Sequence, residues 1–233
     1  MVDRDETEGA PSDFDLSGAK RDERAGELSR LISLSDGVFA FAMTLLIVSI
    51  DIPALSDDEA RTKLVGDVGS LWHQILSYVI GFLVIGFLWG SHRRAFARVR
   101  DYDDTLVKLN IFLLMLIAFL PFPTGVLGQY GNLAFPAMFY SSITAGVSVV
   151  FILILDHLDR HRGLLTRHGK DFDFPRAKSR HLVTALIFLL SIPIAWFFPG
   201  FGQMLWILLV FNHAITERLL PHLPGPFQRR SQS

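Results

Sequence analysis

Three long stretches of this 233-residue chain contain no Asp, Glu, Lys or Arg, and they decide its fold class. They run over 68–91, 109–155 and 181–216. About 20 consecutive apolar residues suffice for one helix to cross a bilayer. An ordinary soluble domain would not exclude charge over such lengths, so we predict an all-α, polytopic membrane protein.

Turn residues divide the apolar sequence into six predicted spans. The spans are 31–52, 70–92, 105–127, 134–155, 181–198 and 203–219. Pro53 ends the first span, and the Gly- and Asn-containing segment 128–132 predicts a hairpin between the third and the fourth. Pro121 and Pro123 are expected to break or kink the outer end of the third helix.

The segments outside the spans are predicted to be tails and loops. Residues 1–27 are assigned to a disordered, acidic and charged tail, 28–222 to the six-helix domain, and 223–233 to a C-terminal tail. The net charge of −1 argues against a nucleic-acid partner, and the absence of cysteine excludes a thiolate site. No phosphate-binding loop, zinc helix or serine elbow occurs, so we expect no enzyme, no catalytic residue, no metal site and no bound cofactor.

The distribution of Lys and Arg predicts the orientation in the membrane. Of the 22 Lys and Arg residues, only Arg61 and Lys63 fall in the segments that lie outside if the N-terminus is cytoplasmic, which leaves 20 inside. Basic residues concentrate in cytoplasmic loops. Both termini are therefore predicted to be cytoplasmic.

Asp36 is the acidic residue that lies well inside a predicted span. At 1.5 Å per residue it lies about 9 Å beyond Arg30, within the inner leaflet. An unpaired charge at this depth costs several kcal/mol, so Asp36 is either a structural anchor or part of a proton or cation path. Sequence alone leaves both open.

Polar residues at a matching depth on the next two helices can serve as partners of Asp36. Trp89 and His92 are three residues apart and share a face of the second helix, and Asn110 lies near the inner start of the third. Considered singly, Trp89 is explained as an interfacial tryptophan, His92 as a contact with lipid headgroups and Asn110 as a helix cap. Their shared depth favours one structural network, whose predicted members are Arg30, Ser35, Asp36, Trp89, His92 and Asn110.

A second face of the first helix is predicted at about 110° from Asp36, given 100° per residue. Its members are Gly37, Phe41, Thr44 and Val48. This projection turns Asp36 away from Thr44. Without further information, lipid or interhelix packing is the ordinary role of an apolar residue such as Phe41.

These residues together resemble the transmembrane protein 175 family of potassium channels. Arg30 and Asp36 stand in the family's first-helix signature, which usually reads Phe-Ser-Asp where this chain has Leu-Ser-Asp at 34–36. The similarity continues in Trp-Gly-Ser-His-Arg-Arg at 89–94, and then in Asp103, Leu109-Asn110 and Leu-Pro-Phe-Pro-Thr at 120–124. It covers about the first three helices.

The resemblance implies a homotetramer of six-helix subunits in a bacterial or archaeal cell membrane, with K⁺ as the permeant ion. The first helix of each subunit lines the path, without a re-entrant filter loop. The family's hydrophobic constriction, usually Ile or Leu, falls on Phe41, and its Thr falls on Thr44. Gly37 and Val48 would border the same path, and the Ser-Asp pair would organise the subunit.

Two other functions are alternatives to a channel. A proton- or cation-coupled secondary transporter would use Asp36 or His92 as the titrating group, although no internal repeat is evident. A membrane-embedded enzyme would use the loop histidines, but no acid–base set accompanies them. His157 and His161 are four residues apart and can share a metal, whereas a solvated basic linker is the ordinary interpretation.

Overall fold

A computed structural model describes residues 13–50, 71–198 and 206 as a helical chain. The helices are α1 (Asp13–Leu45, continued by a 3₁₀ turn at Leu46–Ser49), α2 (Trp72–Phe96), α3 (Asp104–Phe119), α4 (Pro121–Tyr130), α5 (Ala134–Arg160) and α6 (Phe174–Phe197). Two 3₁₀ turns, Arg162–Leu164 and His168–Asp171, lie between α5 and α6.

Five helical segments of the described part are long and apolar enough to cross a bilayer. They are Asp22–Ser49, Trp72–Phe96, Asp104–Tyr130, Ala134–Arg160 and Phe174–Phe197. They correspond to the first five predicted spans, and α3 and α4 together form the third. The predicted sixth span at 203–219 lies outside the described residues except for Trp206, as do 1–12 and 223–233.

Two helices begin earlier than their predicted spans. α1 begins at Asp13, so 13–27 is helical although it belongs to the predicted tail; its Ala, Glu, Leu, Lys and Arg are good helix formers. α6 begins at Phe174, because Asp173 caps it by accepting the backbone N–H of Arg176 at 3.1 Å. A capping residue determines where a helix starts, and this start can precede the first residue of the apolar span.

The predicted break in the third span is confirmed. α3 ends at Phe119, and α4 starts at Pro121 after the single residue Leu120. Proline has no N–H to donate to the preceding turn, so the ladder of backbone hydrogen bonds is interrupted there. A hairpin at 131–133 then leads from α4 into α5.

Small residues bring neighbouring helices close together. Ser141 on α5 and Ser191 on α6 join their hydroxyls at 2.7 Å. On α2, a Cβ added to Gly81 would lie 2.9 Å from Cγ2 of Thr124, whose hydroxyl is held by the carbonyl of Leu120. Lipid tails are as apolar as the side chains, so the hydrophobic effect does not drive helices together within a bilayer. Small residues favour association there because they allow the helices to approach closely.

One end of the bundle, here called the basic end, gathers the Lys- and Arg-rich segments. Arg24 on α1 donates to both carboxylate oxygens of Asp101 in the α2–α3 connection, at 3.0 Å each. The backbone N–H of Arg100 donates to the carbonyl of Leu164 in the α5–α6 connection at 2.8 Å. The start of α1 and both connections are therefore held at the same end.

Asp103 and His157 link α3 to α5 at the basic end. Asp103 caps α3 by accepting the backbone N–H of Leu106 at 2.8 Å, and its carboxylate lies 2.9 Å from Nε2 of His157. Partial burial raises the pKa of Asp103, but the Leu106 N–H and His157 lower it further, and the net pKa lies below its ordinary value. The solvated-linker interpretation is wrong for His157, because this residue lies inside α5 and pairs with Asp103.

Candidate functional site

One face of α1 and its 3₁₀ turn is uncovered in the chain and is here called the open face. The exposed residues are Ser33, Leu34, Asp36, Gly37, Ala40, Phe41, Thr44, Ile47 and Val48, whereas Ser35, Phe39, Ala42 and Leu46 are buried. At about 100° per residue, the buried residues share one narrow stripe. The four positions predicted to border a path, Gly37, Phe41, Thr44 and Val48, all lie on the open face.

The open face differs in composition from the outer surface of α2. The exposed positions of α2 between 75 and 87 carry large apolar side chains, as suits contact with lipid tails. The open face mixes such side chains with the small or polar residues Gly37, Ala40 and Thr44. Polar groups that face hydrocarbon are costly, so this composition is typical of a surface that meets water, ions or another helix.

Thr44 and Phe41 lie next to each other on the open face. The Thr44 hydroxyl donates to the Phe41 carbonyl at 2.8 Å. Since a hydroxyl oxygen can also accept, it remains able to contact a cation or water. The Phe41 side chain is 61% exposed and Val48 is 74% exposed, so the protein itself leaves both uncovered.

A chain of hydrogen bonds holds the buried stripe of α1 against α2 and α3. Nε2 of His92 donates to Oδ1 of Asn110 at 2.9 Å, and Nδ2 of Asn110 donates to Oγ of Ser35 at 3.0 Å. The Ser35 hydroxyl in turn donates to the Leu31 carbonyl at 2.9 Å. All three polar side chains are buried. The hydrocarbon core of a bilayer contains no water, so each of these side chains needs a hydrogen-bond partner within the protein.

Asp36 is bound separately from this buried chain. Its Oδ1 accepts a hydrogen bond from Nε1 of Trp89 at 2.8 Å. The residue as a whole is exposed and lies at one edge of the open face, about 100° from Ser35. The structure therefore gives two separate sets of contacts rather than one cluster: Trp89 with Asp36, and His92 with Asn110 and Ser35.

Arg30 is the predicted network member that the structure does not bring into contact. It is exposed on α1, about one and a half turns before the Ser35–Asp36 pair. Among the described residues, no hydrogen bond or ion pair joins it to the other five. A long, strongly solvated side chain at the end of a membrane span tends to extend toward the interface rather than inward.

Aromatic packing around His92 is a feature that the sequence reasoning missed. The imidazole stacks on Phe96 with ring centroids 4.1 Å apart, and the buried Phe39 ring lies 5.4 Å away. His92 and Phe96 are four residues apart on α2, a spacing that brings side chains together. That spacing is the signal that would have identified the pair.

Within 13–50 and 71–198, no group of three or more His, Asp or Glu side chains is placed to hold a metal ion. His161 directs Nδ1 to the His157 carbonyl at 3.0 Å, while Nε2 of His157 contacts Asp103. The two imidazoles are thus engaged with protein groups.

The segment from α1 to the start of α4 matches a known channel family. Residues 30–121 match the family model described as the endosomal/lysosomal potassium channel TMEM175. A potassium channel of Streptomyces collinus is 34% identical over 168 residues, which cover 69% of this chain and 77% of the relative. The chain belongs to the TMEM175 family.

Further relatives extend the similarity beyond the matched region. The human endosomal/lysosomal proton channel TMEM175 is 25% identical over 213 residues, which cover 90% of this chain and 41% of the human protein. The crystal structure of a lysosomal potassium-selective channel TMEM175 homolog from Chamaesiphon minutus is similar with a TM-score of 0.70 and 25% identity, covering 82% of this chain and 98% of that chain. This chain is accordingly a multi-pass integral membrane protein of a channel family.

The buried chain of hydrogen bonds predicts a difference between two serines of α1. Ser35→Ala leaves Nδ2 of Asn110 without its acceptor, which should lower the stability of the folded protein by about 1–3 kcal/mol. The matched control is Ser33→Ala, on the same helix but exposed, which should change stability by less than about 0.5 kcal/mol. Thermal denaturation of both variants in detergent tests this, and equal melting temperatures would contradict a structural role for Ser35.

Proposed function

We propose that this TMEM175-family protein is a potassium-permeable channel in which four copies of the chain surround a path lined by α1. The family and the printed names of its relatives support potassium permeation. The tetramer follows the family resemblance drawn from the sequence. The observation that carries the proposal is the open face of α1, which leaves Gly37, Phe41 and Thr44 uncovered.

Rotation of α1 decides which residues reach the path. Ser35 is fixed by Asn110, and Asp36 by Trp89, so the helix has little freedom to turn about its axis. Phe41 and Thr44 then lie on the side away from Asn110. In this proposal, the Ser-Asp pair orients the helix and does not bind the permeant ion.

The chemistry of the path comes from residue types rather than from a bound group. Four Phe41 side chains would form an apolar constriction, and such a constriction can close a pore by excluding water. Hydroxyl oxygens of Thr44 would replace part of the hydration shell of K⁺. Gly37 adds no side chain, so the path would widen at its inner end.

The proposed topology has six membrane-spanning helices and both termini in the cytoplasm. Five candidate spans lie among the described residues, and the predicted span at 203–219 would be the sixth. The start of α1 lies at the same end as the α2–α3 and α5–α6 connections, and these segments with the adjoining helix turns contain 16 of the 22 Lys and Arg residues. The positive-inside tendency assigns that end to the cytoplasm.

The alternative, a proton- or cation-coupled transporter, would need Asp36 or His92 to exchange ions with the path. Asp36 accepts a hydrogen bond from Trp89, and Nε2 of His92 is engaged with Asn110 in the protein interior. These contacts favour fixed structural roles for both residues. The name of the human relative nevertheless makes protons a permeant ion worth measuring.

Removing the Phe41 ring should open the path. In proteoliposomes with a K⁺ gradient, Phe41→Ala should increase K⁺ flux several-fold and reduce the preference for K⁺ over Na⁺, because water enters a wider constriction more easily. The control is Phe82→Ala, which removes an exposed ring from α2 and should leave flux and selectivity unchanged. Unchanged flux in Phe41→Ala would remove Phe41 from the path.

Neutralising Asp36 distinguishes the channel from the transporter. Asp36→Asn keeps an oxygen that can accept from Trp89, so passive K⁺ flux should persist down a K⁺ gradient. The measurement is K⁺ flux with and without an imposed pH gradient, together with the pH change inside the vesicles. Proton-coupled K⁺ movement in the wild type that disappears in Asp36→Asn would favour the transporter.

A further inference from the structure

The α2–α3 and α5–α6 connections form one surface at the basic end. The backbone N–H of Thr166 donates to the carbonyl of Arg98 at 2.8 Å, and Val99 and Leu165 form an antiparallel bridge between the two connections. Gly169 approaches so closely that a Cβ added to it would lie 2.7 Å from the carbonyl oxygen of Arg98. The α5–α6 connection is therefore fixed against the α2–α3 connection.

Three basic side chains of this surface, Arg100, Arg167 and Lys170, are here called the basic platform. All three residues are exposed. Nε of Arg100 donates to the uncharged carbonyl of Gly163 at 3.1 Å, a contact that does not neutralise its charge. Within the described part of the chain, none of the three side chains forms an ion pair. Asp171 is an exposed acidic residue beside them, so three positive charges against one negative charge leave an excess of two.

The basic platform lies beyond the hydrocarbon core of the membrane. α5 has 27 residues and is about 40 Å long, whereas the core is about 30 Å thick. The charged residues of α5 all lie within 156–160, and its first turn is apolar, so the additional length lies at the basic end. The connection that follows α5 is thus accessible to a negatively charged partner from the water.

The amino-terminal segment of the chain carries the opposite charge. Residues 1–12, here called the acidic segment, contain four carboxylates and one guanidinium, which gives a net side-chain charge of −3. These charged residues are Asp3, Arg4, Asp5, Glu6 and Glu8. The acidic segment continues directly into α1, and Arg24 of α1 is bound to Asp101, the residue next to Arg100.

The acidic segment is long enough to reach the basic platform of the same chain. Asp13, the first residue of α1, precedes Arg24 by 11 residues, or about 16 Å along the helix. Twelve extended residues span up to about 40 Å. A segment attached so near to a complementary surface has an effective concentration on the order of millimolar. Anionic lipid headgroups, the other source of negative charge at a membrane surface, lack this attachment.

We propose that the acidic segment binds the basic platform at Arg100, Arg167 and Lys170. Its carboxylates would accept charge-assisted hydrogen bonds from the two guanidinium groups and from the Lys170 amine. Exposed ion pairs contribute little singly, so the contact would require several pairs together and would weaken with salt. It would attach α1 to the two connections a second time, in addition to the pair of Arg24 and Asp101, and it does not depend on the proposed ion path.

Carbodiimide cross-linking of the full chain in detergent tests this contact. The reagent joins a carboxylate to a neighbouring amine as an amide, and mass spectrometry of the peptides identifies the pair. An amide between Lys170 and the acidic segment is expected at about 0.1 M salt, with a several-fold lower yield at about 1 M, where the screening length falls from about 10 Å to about 3 Å. Absence of this amide, or a yield that salt does not change, would overturn the proposal.

Two double variants test the part that the arginines play. Arg100→Gln/Arg167→Gln keeps Lys170 and every carboxylate, so a several-fold lower yield would come from the lost charges alone. The matched control, Arg160→Gln/Arg176→Gln, removes the same charge from the basic end, but its guanidinium groups are paired with neighbouring aspartates. It should change the yield by less than about twofold. Equal yields in the two double variants would contradict binding at the basic platform.

A third measurement distinguishes the acidic segment from lipid as the bound partner. Lys170 should be acetylated by an N-hydroxysuccinimide ester several-fold faster in a chain that lacks residues 2–12 than in the full chain. Lys108, which lies on α3, should react at the same rate in both chains. Equal rates for Lys170 in the two chains, with protection only after phosphatidylglycerol is added, would assign the platform to anionic headgroups and overturn the proposal.

Discussion

The hydrogen bond from Asn110 to Ser35 is the contact on which the proposed function depends. In a bilayer core, a polar side chain without a partner is costly, so the pair holds α1 against α3 in one rotational setting. His92 extends the same chain of bonds to α2. Turning α1 by a few tens of degrees would break these bonds and also change the side chains that the open face presents.

In the proposed channel, this arrangement would separate two tasks along α1. Residues at the level of Ser35 and Asp36 set the orientation of α1 through polar contacts with α2 and α3. About one and a half to two and a half turns further along, Phe41 and Thr44 are exposed in the described part of the chain. A substitution of Ser35 or Asp36 should therefore mainly change stability, whereas a substitution of Phe41 or Thr44 should mainly change ion flux.

The sequence alone predicted the membrane class and the five spans that the structure describes, and it named Trp89, His92 and Asn110 as candidate partners of Asp36. The absence of charge over a stretch and the depth of a residue in a span both follow from positions along the sequence, so they can be inferred without a structure. The Asn110–Ser35 and Trp89–Asp36 contacts agree with that depth argument. Depth does not give side-chain direction, which is why Arg30 was included although the described residues offer it no partner.

Other features depended on contacts that no local pattern records. The first half of α1 is attached to the α2–α3 connection by the contact of Arg24 with Asp101, which lie 77 residues apart in the sequence. The pairing of His157 with Asp103 joins α5 to the start of α3, so the loop composition around His157 could not reveal it. The basic platform likewise exists only because two connections that are far apart in the sequence meet there.

The absence of cysteine from the chain makes the central claim about the open face directly measurable. Thr44→Cys places a thiol on the open face, and Leu83→Cys places one on an exposed position of α2. With both variants reconstituted for K⁺ flux and exposed to Ag⁺, which binds thiolate sulfur, the account predicts inhibition of Thr44→Cys at concentrations that leave Leu83→Cys unaffected. Equal insensitivity of the two variants would contradict a path lined by α1.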